Sequence, residues 1–241
     1  MNVNVLPQAI FFDLDDTIVS FSASTDVCWR QVCAAYGSYI NGLTPEQLHQ
    51  AINEYSHWYW QDRERHRRGR QNLPQTRREI VAVALKNLGI DNLTLADQIG
   101  DAYSVTRVQA IWLLPGALDI LQYLQQSGVR LALVTNGTAH EQRRKIERFD
   151  LARFFDCIVI EGEFGVGKPD ARVYRHTLAQ MQVKPEDVWM VGDNLEWDVF
   201  GAQRVGIHGI WVDFSGEGLP ESGPARPDRI IRSITELVED F

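Results

Sequence analysis

Phe11-Phe12-Asp13-Leu14-Asp15-Asp16-Thr17 is an apolar run that breaks abruptly into three carboxylates. Together with Ile10, the two phenylalanines read as the end of a buried strand, because a parallel strand covered on both faces is apolar without alternation. The acids then stand at the carboxyl end of that strand. In an open α/β sheet this is the edge at which ligands bind. Carboxylates packed so closely repel one another and resist ionising unless a cation or a shared proton intervenes, so the stretch calls for a metal ion.

The chain has 241 residues and 44% hydrophobic content, enough for one large domain or for a core domain with a smaller companion. A net charge of −8 removes the broad electrostatic footprint expected of a nucleic-acid binder and favours a small substrate. Met1 to Gln8 shows no basic segment leading into a long apolar one, and no later run has the length of a membrane span. A cytoplasmic protein without a membrane partner is expected. Cys28, Cys33 and Cys157 are scattered, form no C-x-x-C pair, and read as reduced packing residues.

After Thr17 the pattern takes a helical period and keeps it to about Leu114. Trp29, Val32, Cys33, Tyr36 and Ile40 share one helix face, and a turn is expected at Asn41-Gly42. Thr44-Pro45-Glu46-Gln47 is a capping box with proline at the first helical position, leading into Leu48, Ala51, Ile52 and Tyr55. Further boxes are read at Thr76 to Glu79 and Thr94 to Asp97, with Gly89 as a stop between them. From Pro115-Gly116 strands and helices alternate. Arg130 to Val134, Cys157 to Ile160, Val188 to Val191 and Ile207 to Val212 are short apolar strands, and with the first they predict a parallel, doubly wound sheet. Asp213 to Pro227 reads as a surface loop, and Ser233 to Glu236 as the cap of a final helix.

Four polar clusters lie at strand ends or strand–loop junctions: Asp13-Leu14-Asp15, Thr135-Asn136, Lys168-Pro169, and Gly192-Asp193 with Asp198. In order and context they resemble the four motifs of the haloacid dehalogenase-like (HAD) hydrolase superfamily. The resemblance implies a Rossmann-like core over residues 1–19 and 113–241, with an inserted α-helical bundle over 20–112 that resembles the first type of HAD cap domain. About 30 residues separate Asn136 from Lys168, which leaves no room for a large cap of the second type.

The same resemblance implies Asp13 as nucleophile, forming an aspartyl-phosphate, and Asp15 as the acid and base that serves the leaving oxygen and the attacking water. It implies Mg²⁺ held by Asp13, the Asp15 main-chain carbonyl and Asp193, with Asp198 close by or acting through water. Thr135 and Asn136 would bind the phosphoryl group, and Lys168 would steady Asp13 and the charge growing on the phosphoryl oxygens. Read without the resemblance, the acidic turn is equally a helix cap, Thr135-Asn136-Gly137 a turn, Asp198 a solvated helix residue and Lys168 a surface lysine. Asp16 is assigned to the turn rather than to chemistry.

A phosphatase acting on a small phosphorylated metabolite (nucleotide, sugar phosphate or phospho-acid) is therefore expected. Within the superfamily a second Asp in the first motif separates phosphoryl chemistry from dehalogenation, and Asp15 is present. The alternatives are a phosphomutase and a non-catalytic binding or regulatory protein of the same fold. The basic run Arg63-Glu64-Arg65-His66-Arg67-Arg68-Gly69-Arg70 with Arg77-Arg78 is either a solvated helix face or a source of one or two contacts to a second anionic group of the substrate.

Overall fold

The computed structural model describes residues 6–37, 40 and 42–238. Met1 to Val5, and Asn41 of the expected turn, lie outside the described residues; Gly42 is in the left-handed region with φ 82°. The strands are β1 (Ala9–Phe12), β2 (Val19–Ser20), β3 (Trp112–Leu113), β4 (Arg130–Thr135), β5 (Cys157–Ile160), β6 (Val188–Gly192), β7 (His208–Val212) and β8 (Arg229–Ile231). The helices are α1 (Thr25–Gly37), α2 (Pro45–Gln61), α3 (Arg63–Arg70), α4 (Leu73–Asn87), α5 (Leu93–Gln109), α6 (Ala117–Gln126), α7 (Ala139–Arg148), α8 (Glu161–Phe164), α9 (Ala171–Met181) and α10 (Gly201–Gln203). Two compact units result, Met1–Ser20 with Trp112–Phe241, and Phe21–Ile111.

In the first unit six parallel strands lie in the order β5-β4-β1-β6-β7-β8. β1 is in the middle, and all four of its residues are buried, as its unbroken apolar sequence requires. Residue alternation divides it: Ala9 and Phe11 join a cluster with Ala132, Val134, Val188, Met190 and the α9 residues Val173, Tyr174 and Met181. Ile10 and Phe12 are therefore left for the opposite face. Both α6 and α9 pack on β4. The doubly wound architecture read from the strand–helix alternation is thus present.

Three details differ from the sequence reading. β8 adds a sixth strand, paired in parallel from Ile210↔Arg229 to Val212↔Ile231. Val19–Ser20 and Trp112–Leu113 form a small antiparallel pair, so the helical stretch is bracketed by strands rather than running on to Leu114. Ile234–Val238 is a 3₁₀ helix, and the Glu236 carboxylate reaches back to the Arg232 N–H rather than closing a box at Ser233.

The second unit is helical, α1 to α5 around a core that includes Trp29, Cys33, Leu48, Ile52, Tyr59, Ile80, Leu85, Ile99 and Tyr103. Trp29 stacks on Tyr103 with ring centroids 3.6 Å apart. The Thr44 box is formed: its hydroxyl accepts from Gln47 N–H at 3.2 Å while the Gln47 side chain accepts from Thr44 N–H at 2.9 Å. The other two boxes are corrected. α4 begins a turn earlier, capped by Asn72, and the Thr76 hydroxyl inside the helix donates to the Gly69 carbonyl. α5 is capped by Asn92, whose side chain accepts from Leu95 N–H at 3.0 Å. No helix among the described residues is long and apolar enough to cross a membrane.

Candidate active site

Because β1, β4 and β6 are adjacent and parallel, their carboxyl ends open on one edge, and the polar residues that follow them are brought together there. Asp13 N–H still donates to the Val191 carbonyl at 2.9 Å, so the residue leaves the sheet with its main chain held. The next turn closes on itself, with Asp16 N–H donating to the Val19 carbonyl and both Ile18 and Val19 N–H donating to the Leu14 carbonyl. Asp16 takes the left-handed conformation, φ 54°, that this turn demands.

Lys168 is the hub. It is 1% exposed, and its ammonium lies 2.7 Å from Asp13 Oδ1 and 2.6 Å from Asp198 Oδ1. Its main chain is held by one side chain: Lys168 N–H donates to Asn136 Oδ1 at 2.7 Å, and Asn136 Nδ2 donates back to the Lys168 carbonyl at 2.9 Å. The loop then enters α9 through Asp170, whose carboxylate caps Arg172 N–H and is held down at about 2 by the Arg172 guanidinium. Asn136 therefore holds the main chain of the lysine in place.

Asp198 lies on a π-helical turn, Leu195–Phe200, and is fully buried. Its second oxygen accepts from Asn194 N–H at 2.9 Å, while Asp198 N–H donates to the Asn194 carbonyl at 2.8 Å. This packing requires Gly192 on β6: a Cβ there would stand 2.2 Å from Asp198 Cγ. Trp211 of β7 fixes the neighbouring main chain by donating its indole N–H to the Asp193 carbonyl at 2.8 Å. Neither Lys168 nor Asp198 is the solvated surface residue that its local sequence alone describes.

Asp13, Asp193 and Asp198 each offer an oxygen within 4.8 Å of the others. Burial, opposed by Lys168 and reinforced by Asp198, pushes Asp13 up to about 7. Burial and the neighbouring carboxylates raise Asp193 well above the ordinary range. Burial works against the Lys168 charge, but the two carboxylates override it and hold its pKa above the usual lysine value. An all-oxygen set of carboxylates that resists ionising alone fits a hard divalent cation such as Mg²⁺ and does not fit a thiophilic one.

The carboxylate of Asp15 is outside this cluster. Both of its oxygens lie 2.7 Å from the Lys145 ammonium, and Gln142 Nε2 is 3.1 Å from Oδ2. Gln142 also donates to Thr135 Oγ1 at 2.6 Å and to the Asn136 carbonyl at 2.8 Å. Sequence reading missed Gln142 and Lys145. Their three-residue spacing on one helix face was the available signal, but it lies within the polar run Gln142-Arg143-Arg144-Lys145, which gives no hint of burial. Glu161 was missed as well; it is buried, and its carboxylate accepts from Gly137 N–H at 2.9 Å, tying the loop after Thr135 to the start of α8.

In the helical unit several of the arginines are engaged locally. Arg65 lies over the Trp58 ring and donates to the Trp58 and Tyr59 carbonyls. Arg67 pairs with Glu64, Arg78 with Asp101, and Arg77 donates to Ser104.

Residues 7–206 match the family profile described as haloacid dehalogenase-like hydrolase. A phosphoserine phosphatase of Thermus thermophilus is 41% identical over 126 residues, an alignment spanning 52% of this chain and 49% of that one. A glyceraldehyde 3-phosphate phosphatase of Pyrococcus furiosus is 30% identical over 240 residues, covering 96% of this chain and 92% of that one. Among solved structures, a magnesium-bound HAD hydrolase of Bacillus subtilis superposes with a TM-score of 0.75 over 97% of each chain at 24% identity, a likeness of fold.

Proposed function

We propose how the site works from the premise that this chain belongs to the haloacid dehalogenase-like hydrolase family. It is a hydrolase of the phosphatase type. Within that frame we read it as a Mg²⁺-dependent phosphomonoesterase acting on a small phosphorylated metabolite: a sugar phosphate, phospho-acid or nucleotide. One convergence supports this reading above the rest, the buried Lys168 ammonium held between Asp13 and Asp198 beside Asp193. Relatives named for phosphoserine and glyceraldehyde 3-phosphate support small monoesters as the substrate class.

In the first step an Asp13 oxygen attacks phosphorus in line while the bond to the leaving oxygen breaks, and that oxygen takes a proton from the Asp15 carboxylic acid. In the second step a water oxygen attacks phosphorus and gives its proton to the Asp15 carboxylate. The Asp13–phosphorus bond breaks, inorganic phosphate leaves, and both acids return to their starting forms. Thr135 and adjacent N–H groups receive phosphoryl oxygens, and Lys168 supports the charge that grows on them. The Asp13 and Asp193 carboxylates, with the Asp15 carbonyl, would hold Mg²⁺. Asp198 already accepts from Lys168 and from Asn194 N–H, so its expected part is to add charge or to act through water. When bound, the ion offsets carboxylate repulsion and polarises the phosphoryl group.

The test is Mg²⁺-dependent release of inorganic phosphate across a panel of phosphorylated metabolites, with Asp13→Asn as control. Release by the wild-type chain but not by the variant is expected. Equal, background rates for both overturn the phosphatase reading, and an isomeric sugar phosphate without free phosphate makes the chain a mutase.

A further inference from the structure

α7 buries a polar face. Gln142, Lys145 and Ile146 are its buried residues, so an ammonium and a carboxamide take positions at which a packing helix would carry apolar side chains. Lys145 Nζ contacts three acceptors at 2.7 Å: Asp15 Oδ1, Asp15 Oδ2 and Gln142 Oε1. An ammonium can only donate, so the Gln142 atom facing it must be the oxygen. The carboxamide is thereby oriented, and its Nε2 must face Thr135 Oγ1, the Asn136 carbonyl and Asp15 Oδ2. Nε2 in turn only donates, so the Thr135 hydroxyl must accept from it and keeps its own hydrogen for another partner. In this structure that hydrogen has only a long contact, 3.4 Å, to the Asn136 carbonyl.

We propose that Lys145 and Gln142 are positioning residues of the reaction: Lys145 fixes the Asp15 carboxyl group toward the leaving oxygen, and Gln142 fixes the Thr135 hydroxyl as a donor to a phosphoryl oxygen. One face of one helix thus sets the acid and base and one phosphoryl-binding group together. The proposal rests on the phosphatase reading above and adds two roles to it.

The two roles separate by leaving group. Departure of an alkoxide needs the Asp15 proton, whereas para-nitrophenolate is a stable anion that leaves with little help. Phosphoryl binding through Thr135 is common to both substrates. The experiment measures kcat and KM on glycerol phosphate and on para-nitrophenyl phosphate for wild type, Asp13→Asn, Lys145→Met, Lys145→Arg and Gln142→Met. Lys145→Met should lose about 10²-fold or more in kcat/KM on glycerol phosphate and under about 10-fold in kcat/KM on para-nitrophenyl phosphate, because kcat/KM reports the step in which the leaving group departs while the water-attack step is shared by both substrates; Lys145→Arg should stay nearer the wild-type ratio. Gln142→Met should lose about 10-fold in kcat/KM on both substrates, the size of one lost hydrogen bond to the phosphoryl group, and lose little more when Thr135→Val is already present; losses that simply add in the double variant overturn the Gln142 role.

A general packing role predicts equal losses on both substrates for Lys145→Met, and that result, or no loss on glycerol phosphate, overturns the proposal while leaving the phosphatase reading intact. Should Lys145→Met fail to fold, Lys145→Gln carries the same ratio measurement, and an unchanged ratio in it overturns the proposal. A wild-type chain no faster than Asp13→Asn overturns the phosphatase reading and this one with it.

Discussion

Replacing Lys168 by methionine keeps the length of the side chain and deletes a charge that is buried between two carboxylates. With separations of 2.7 and 2.6 Å, each pair carries a Coulomb energy of about 6 kcal/mol at an effective dielectric of about 20. Most of that is offset by the cost of taking three charged groups out of water, and the net loss on breaking a buried pair is about 3–5 kcal/mol. In a chain of this size that amounts to a fall in Tm of about 6–20 °C. The penalty must also depend on pH. Burial already pushes Asp13 up to about 7, and Lys168 is the group holding it down. Without the lysine Asp13 rises further, so the folded variant holds protons that the unfolded chain has lost, and its stability falls as pH rises. Near about pH 5 Asp13 is protonated in both proteins and needs no counter-charge; the difference grows as pH rises through about 7, where Asp13 ionises beside Lys168 in the wild type but stays protonated in the variant. Thermal melts of both proteins in the presence of a chelator, across that pH range, read the effect. Adding Asp198→Asn to Lys168→Met should recover part of the loss, because one of the stranded charges is then gone. A Tm difference below about 2 °C at the alkaline end, or one that shrinks as pH rises, refutes the account of Lys168 as the counter-charge of this cluster.

Mg²⁺ should stabilise the folded chain by mass action, by about 2.7 kcal/mol at about a hundredfold excess over its Kd, and so raise Tm. The rise should grow with pH, since Asp13 and Asp193 must give up protons that burial makes them keep. It should vanish in Asp13→Ala and Asp193→Ala, and a shift that is flat with pH or survives both variants places the ion elsewhere. Gly192→Ala puts a methyl group 2.2 Å from Asp198 Cγ. It should cost about 1–3 kcal/mol in melts and lower turnover as well; an alanine variant with wild-type Tm and kcat contradicts the close approach.

The central strands were legible because a parallel strand buried on both faces has no choice but to be apolar, as Ala9 to Phe12 are. The two-residue strands β2 and β3 and the three-residue β8 are too short to carry any period, and they exist only because neighbouring main chain is there to pair with them. Helix starts were misplaced where two signals compete. Asn72 with Pro74 lies four residues ahead of Thr76, and the threonine found a carbonyl at Gly69 for its hydroxyl. The acidic and lysine positions of the site could be named from the sequence, but the bonds between Asn136 and the Lys168 main chain could not. Its carboxamide reads as a turn residue until the loop 32 positions away is seen against it. Nothing in Gln142-Arg143-Arg144-Lys145 distinguishes the lysine that turns inward from the arginines beside it, because that is decided by where the sheet lies relative to α7.

The antiparallel pair of Val19–Ser20 with Trp112–Leu113 also bears on inheritance. Chain leaves the sheet and returns to it through two neighbouring strands, so the sheet meets the whole stretch Phe21–Ile111 as the two ends of one loop. Closing a longer loop costs only about 0.6 kcal/mol for each doubling of its length. The register of β1 against β4, and with it the spacing of Asp13 from Thr135, is set by main-chain bonds on the sheet side of that pair. Selection can therefore rewrite, lengthen or exchange the excursion without disturbing the register that spaces Asp13 from Thr135, so the two parts of one polypeptide are free to change at different rates.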